Sequence, residues 1–71
     1  MNKVDVWIAR TQACGGIARP THDGHIILRG PDGTLIAKIR THNLNRGRRF
    51  DRFAHNVEAA LARLERDSQG G

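Results

Sequence analysis

Two largely apolar segments on either side of a turn sequence in the middle of the chain predict a β-hairpin. These segments, 26–29 and 34–40, flank the turn sequence Gly30-Pro31-Asp32-Gly33. In such a turn proline presets the backbone, aspartate bonds back to it, and glycine adopts a positive φ.

The register follows if the loop contains four residues. Leu28 then lies opposite Leu35, and His25 lies opposite Lys38. One face becomes apolar, with Ile26, Leu28, Leu35, Ala37 and Ile39. The other face is partly basic, with His25, Arg29, Lys38 and Arg40.

Between residues 48 and 66 the apolar residues recur every three or four positions, which is the spacing of a helix. The apolar repeat comprises Phe50, Phe53, Val57, Ala60, Leu61 and Leu64, which we interpret as core rather than as a platform for stacking bases. Asn45 is a possible cap, and residues 67–71 are expected to form a flexible tail.

The N-terminal segment, residues 4–14, fits either the alternation of a strand or one face of a helix. Asn2 followed by Asp5 resembles a capping box, and Gly15-Gly16 is a helix stop, so we favour a helix. Residues 17–21 then form a short strand, in which Pro20 is tolerated only at a sheet edge.

The length of 71 residues predicts a single domain, 1–71, with a thin core. Chemistry or binding is therefore expected on an open face rather than in a large enclosed pocket. The one cysteine, Cys14, cannot form an internal disulfide and is more simply a small core residue. With no secretory pattern and no membrane-length apolar run, the sequence predicts a cytoplasmic protein.

The net charge of +5 is concentrated between residues 38 and 52, where only Asp51 opposes Lys38, Arg40, Arg46, Arg48, Arg49 and Arg52. Such a cluster indicates a polyanionic partner, and arginine suits the geometry of phosphate. A solvated basic face or a dock for an acidic protein remains the alternative.

The histidines suggest two kinds of chemistry. A zinc site needs three or four ligands, and the pair His22 and His25 supplies only two, on opposite faces if they lie in a strand. Cleavage of RNA through its own 2′-hydroxyl needs a proton acceptor or donor beside cations, and His25 with Lys38 and Arg40 meets that need. The alternative is that His25 is a half-exposed strand-edge residue with no role.

The order of elements, together with Gly16-Ile17, Gly24-His25 eight positions later, and the Pro-Asp-Gly hairpin, resembles the HicA toxins. That family comprises small messenger-RNA interferases with an α-β-β-β-α fold like the double-stranded RNA-binding domain. The resemblance covers residues from about Val4 to Leu64. The serine that often precedes the family histidine is absent here, the first helix is short, and the last helix is long.

The resemblance implies an α+β domain with a three-stranded antiparallel sheet and two helices packed on one face. It also implies a metal-independent endoribonuclease with His25 as acid or base, no cofactor, and a HicB-like antitoxin as partner. We expect Lys38, Arg40, Arg46, Arg48 and Arg49 to contact RNA. Two alternatives remain: a nucleic-acid-binding module without chemistry, and an adaptor that binds an acidic protein.

Overall fold

The computed structural model describes residues 2–40 and 48–70. It contains, in chain order, the helix α1 (Lys3–Ala13), the strands β1 (Ile17–Pro20), β2 (His25–Arg29) and β3 (Leu35–Arg40), and the helix α2 (Arg48–Gly70). The strands form one antiparallel sheet in the order β1-β2-β3. The predicted α+β layout is confirmed.

The ambiguous N-terminal segment is a helix, as the capping signal predicted. The Oδ1 atom of Asn2 accepts a hydrogen bond of 2.9 Å from the backbone N–H of Asp5. At the other end, Gly15 has a φ of +84°, and the N–H of Gly16 donates to the carbonyl of Thr11 at 2.9 Å. Glycine adopts this left-handed conformation without steric cost, so it ends the helix where the sequence places it.

The core lies between the two helices and one face of the sheet. Trp7 of α1 is fully buried, stacks on Phe50 at a centroid distance of 6.3 Å, and meets Phe53 edge-on at 6.1 Å. The interpretation of these phenylalanines as core residues is confirmed. The buried hydrophobic cluster comprises Val4, Trp7, Leu28, Ala37, Ile39, Ala54, Val57 and Leu61.

The predicted register of the β2–β3 hairpin is wrong by two residues. The N–H of Gly30 donates to the carbonyl of Thr34 at 2.8 Å, so the loop contains three residues, not four. This is the common hairpin in which a type I turn is followed by a left-handed glycine, here Gly33 at a φ of +87°. Between Leu28 and Arg29 the ladder then shifts by one more residue.

These two changes bring His25 opposite Arg40, rather than Lys38, and Leu28 opposite Ala37. A shift of two residues preserves the side-chain alternation, so the core face remains apolar. Leu35 is the exception, because it lies beyond the bulge. It pairs with Arg29 and is 54% exposed, so its assignment to the apolar face was wrong.

The C-terminal helix extends beyond the apolar repeat, which ends at Leu64. It continues to Gly70, so residues 67–70 of the predicted tail are helical, and their flexibility stays a prediction. The possible cap Asn45 lies outside the described residues. Neither described helix has the length and apolar character needed to span a membrane.

Candidate functional site

The face of the sheet that lies away from the helices carries four exposed cations. Arg19, Arg29, Lys38 and Arg40 are all exposed, and the three strands contain no acidic residue. The helices carry both signs, and two of their carboxylates, Glu58 and Glu65, pair with Arg10. We call the outer surface of the strands the open face.

Ile27 lies at the centre of the open face. It pairs with Arg19 on one side and with Lys38 on the other. Its neighbours two positions away along β2 are His25 and Arg29, which alternation puts on the same face. A half-buried aliphatic side chain is therefore surrounded by four nitrogen-bearing groups.

His25 begins β2, directly after a tight turn that resembles the one at Gly30–Thr34. The N–H of Gly24 donates to the carbonyl of Thr21 at 3.3 Å, and the N–H of Thr21 donates to the carbonyl of His25 at 2.9 Å. Gly24 has a φ of +83°. The left-handed glycine closes a three-residue loop, which starts β2 at His25.

Asp23, in this turn, contacts the imidazole of His25. Its Oδ1 atom lies 3.0 Å from the Nδ1 atom of His25 and also accepts a hydrogen bond from the hydroxyl of Thr21. The hydrogen bond from Thr21 and, next, the one from His25 lower the pKa of Asp23 to about 2. The carboxylate is therefore ionised at neutral pH.

The neighbouring hairpin shows why Asp23 contacts a side chain rather than the backbone. There Asp32 occupies the same turn position as Asp23, and its Oδ1 atom accepts from the backbone N–H of Thr34 at 3.0 Å. In the first turn the backbone N–H of His25 instead donates to the hydroxyl of Thr21 at 3.1 Å. Asp23 is thereby available to the imidazole ring.

The side chain of His25 is only 14% exposed, so it is more buried than the half-exposed residue of the alternative. His22, in the same turn, is exposed. Of the predicted site residues, His25, Lys38 and Arg40 share the open face.

The other residues predicted to contact RNA lie outside the described part of the structure. This holds for Arg46 and for the side chains of Arg48 and Arg49, the first residues of α2. Within the described ranges, no three His, Cys, Asp or Glu side chains form a group that could hold a metal ion. Cys14 is half-buried at the end of α1.

Sequence reasoning missed three residues at or beside the open face. Thr21 was assigned to the predicted strand 17–21 and Asp23 to the loop after it, although the Asp-Gly dipeptide repeats the turn chemistry recognised at Asp32-Gly33. Arg19 was missed because a four-residue strand is too short to display an alternation. Its pairing with Ile27 is visible only in the folded sheet.

Comparisons with known proteins add no relative. No protein-family model, no curated protein and no solved structure matches the chain.

Proposed function

We propose that the chain is an RNA-cleaving toxin of the HicA type, with His25 as the proton-transferring residue of a metal-independent endoribonuclease. The observation that carries the proposal is the contact between Asp23 and His25 on a face with four exposed cations. The order of the elements and the Gly24-His25 dipeptide support the resemblance to that family.

The contact with Asp23 favours the role of a general base. A carboxylate at Nδ1 selects the tautomer that carries its proton there, which makes Nε2 the proton acceptor. The same carboxylate stabilises the imidazolium ion that forms when the proton arrives, as the aspartate does in other catalytic dyads and triads. Asp23 is then a positioning residue, because it acts through His25.

The reaction needs only groups that the chain and the solvent supply. His25 removes the proton of the 2′-hydroxyl, and the 2′-oxygen bonds to phosphorus as the bond to the 5′-oxygen breaks. The 5′-oxygen takes up a proton from solvent, and His25 later returns its own proton to solvent. The products are a 2′,3′-cyclic phosphate and a 5′-hydroxyl.

Arg40 and Lys38 are suited to the phosphate. Arg40 pairs with His25 across the sheet, and Lys38 lies on the same strand two positions away. Cations beside the reacting phosphate stabilise the negative charge that grows on its oxygens. In the observed register Arg40, and not Lys38, is the direct cross-strand neighbour of His25. Arg40 therefore takes the place nearest the reacting phosphate that the sequence had suggested for Lys38.

A toxin of this type acts on cellular RNA, so the proposal includes an antitoxin. A HicB-like protein that covers the open face would neutralise its charge and block access to His25. The partly acidic character expected of such a protein matches the four exposed cations.

A nucleic-acid-binding module without chemistry is the second candidate. The charge of the open face supports RNA binding whether or not His25 reacts, because phosphate contacts need no proton transfer. The two candidates differ in one observable, the cleavage of bound RNA.

The test is the degradation of RNA by the purified protein in a buffer that contains a metal chelator. His25→Ala is expected to lower the rate by about 10²–10⁴-fold, the usual contribution of a positioned acid or base. Because the ring is mostly covered, His25→Gln is assayed beside it, and circular dichroism checks that both variants fold. His22→Ala, in the same turn, is the matched control and should cleave like the wild type.

Two results would contradict the catalytic proposal. Wild-type protein that leaves RNA intact would favour the binding module, as would folded His25 variants that cleave at the wild-type rate. Cleavage that the chelator abolishes would point to a metal instead. Toxicity on induced expression, lost in the His25 variants alone, is the cellular counterpart.

A further inference from the structure

A depression of about 290 Å³ lies on the open face, between strands β1 and β2. It is lined by Ile17, Arg19, Thr21, Ile27 and Arg29. Its volume is just below the roughly 300–1,000 Å³ typical of small-molecule sites. It therefore accommodates one compact group rather than an extended ligand.

The lining residues alternate in character. Ile17 pairs with Arg29, and Arg19 pairs with Ile27, so the two isoleucines form one diagonal of a square and the two arginines form the other. Diagonal neighbours on a sheet face are separated by about 7–8 Å. The floor is apolar, and a planar cation stands at each of two opposite corners.

One of these cations is held in place. The Nη1 atom of Arg29 donates a hydrogen bond of 3.0 Å to the carbonyl of Gly33 in the next turn. Arg19 is exposed at the edge strand β1. A ligand would thus meet one fixed guanidinium group and one that is able to close over it.

We infer that this depression is a seat for one unpaired RNA base, so that the substrate is single-stranded RNA. This inference rests on the proposed function. A base offers a flat apolar face to Ile17 and Ile27 and a π-system on which a guanidinium group stacks. A phosphate alone would gain nothing from the two isoleucines.

Duplex RNA does not fit this seat. In an A-form helix the bases are stacked and paired, and their major-groove edges lie in a deep, narrow groove. The seat lies on the outer surface of a sheet, which a base reaches only when it is turned out of the stack. The described aromatic side chains, Trp7, Phe50 and Phe53, belong to the core, which leaves stacking to the arginines.

The seat is connected to the reacting group through Thr21. This residue lines the depression, and its hydroxyl also accepts from the backbone N–H of His25 and bonds to Asp23. The seated base therefore belongs to a nucleotide next to the cleaved bond. Such seating would orient the 2′-hydroxyl relative to His25.

The test uses wild-type protein and a short labelled RNA in which every nucleotide carries a 2′-O-methyl group, so that binding is measured without cleavage through the 2′-hydroxyl. The single strand is compared with the same strand annealed to its complement, and with strands that lack one base at a time. Arg19→Lys keeps the positive charge but replaces the planar guanidinium group with an ammonium group, which does not stack on a base in the same way. Arg63→Lys, on the exposed surface of α2, is the matched control.

The single strand is expected to bind more tightly than the duplex. Loss of one particular base should weaken binding about two- to fivefold, as expected for one exposed stacking contact, and Arg19→Lys should abolish that difference. The Arg63→Lys protein should still bind the intact strand more tightly than the strand that lacks this base. The salt dependence should be the same in all three proteins, because the charge is unchanged.

Each contrary result has a distinct meaning. Equal binding of intact and abasic strands, or equal binding of duplex and single strand, would overturn the base seat and leave only phosphate contacts. Binding of an acidic peptide but of no RNA would make the open face a protein dock and would overturn it as well. Base-dependent binding by a protein that never cleaves RNA would support the seat and refute the proposed catalysis.

Discussion

The hydrogen bond from Trp7 to Glu58 joins the two helices beneath the sheet, and its loss should have a measurable cost. The Nε1 atom of Trp7 donates to Oε2 of Glu58 at 2.7 Å, while the Nη1 atom of Arg10 donates to Oε1 at 2.6 Å. Trp7 is fully buried, and Glu58→Ala removes the side chain that accepts from its indole N–H. The donor then loses its protein acceptor.

An unsatisfied buried donor costs about 1–3 kcal/mol. At roughly 0.05–0.15 kcal/mol per residue, a domain of this length has a total unfolding free energy of about 4–11 kcal/mol. The loss is therefore a large fraction of the total. It should lower Tm by at least about 4 °C, since each kcal/mol shifts Tm by roughly 4–8 °C in domains of this size.

The matched control is Glu65→Ala. Glu65 receives two hydrogen bonds of 2.8 Å from Arg10 but none from Trp7, so its removal breaks an ion pair near the surface without leaving the indole unsatisfied. Urea unfolding followed by circular dichroism gives the free energy of each variant. Glu58→Gln, which keeps an acceptor for Trp7, should recover much of the loss.

An equal loss of unfolding free energy in Glu65→Ala and Glu58→Ala, or no loss in Glu58→Ala, would contradict this prediction. Either result would mean that the indole N–H contributes little and that the cost belongs to the ion pairs of Arg10.

Two further predictions concern the open face. The hydrogen bond from Thr21 and, next, the contact with His25 lower the pKa of Asp23 to about 2 from its ordinary 3.8, so they stabilise the fold above about pH 4 and are lost as the pH falls towards 2. Asp23→Asn should flatten that part of an acid-unfolding curve, and an unchanged curve would contradict the contact. Replacing Lys38 and Arg40 by Ala should weaken binding to all RNA sequences and reduce the salt slope by about 0.7 for each phosphate that the protein no longer neutralises. An equal effect on replacing Arg63 and Arg66, on α2, would show that the open face is not the RNA surface.

The elements of the fold were predictable because each has a local cause. The contact of Asn2 with Asp5 and the glycines that follow α1 decide helix over strand at the N-terminus. The Pro31-Asp32-Gly33 turn determines that the two strands on either side of it form a hairpin. These signals act within a few residues, which is the range that a sequence pattern reports.

The register was not predictable from the same pattern. A loop of three residues and a loop of four both suit the turn sequence. The bulge beside Leu28 also cannot be recognised from the order of apolar and polar residues in the two strands. Since a shift of two residues keeps the same faces, the apolar pattern tolerates either pairing. Only the packed structure decides that Arg40, and not Lys38, lies opposite His25.

The site was predictable only in part for a related reason. His25 follows from its place at the start of β2, but its partner does not, because Asp23 has two competing uses. An aspartate in this turn position bonds either to the backbone, as Asp32 does, or to a side chain. Which one occurs depends on whether Thr21 takes the backbone N–H of His25.

The most direct test of the central claim is the cleavage of an RNA strand in which one nucleotide, on the 5′ side of a cleaved bond, lacks its 2′-hydroxyl. If His25 removes the proton of that hydroxyl, the wild-type protein should leave this bond intact and cleave the all-RNA strand to a 2′,3′-cyclic phosphate and a 5′-hydroxyl. Cleavage that persists at the deoxy position would contradict the account, because the bond would then be broken by a nucleophile other than the 2′-oxygen.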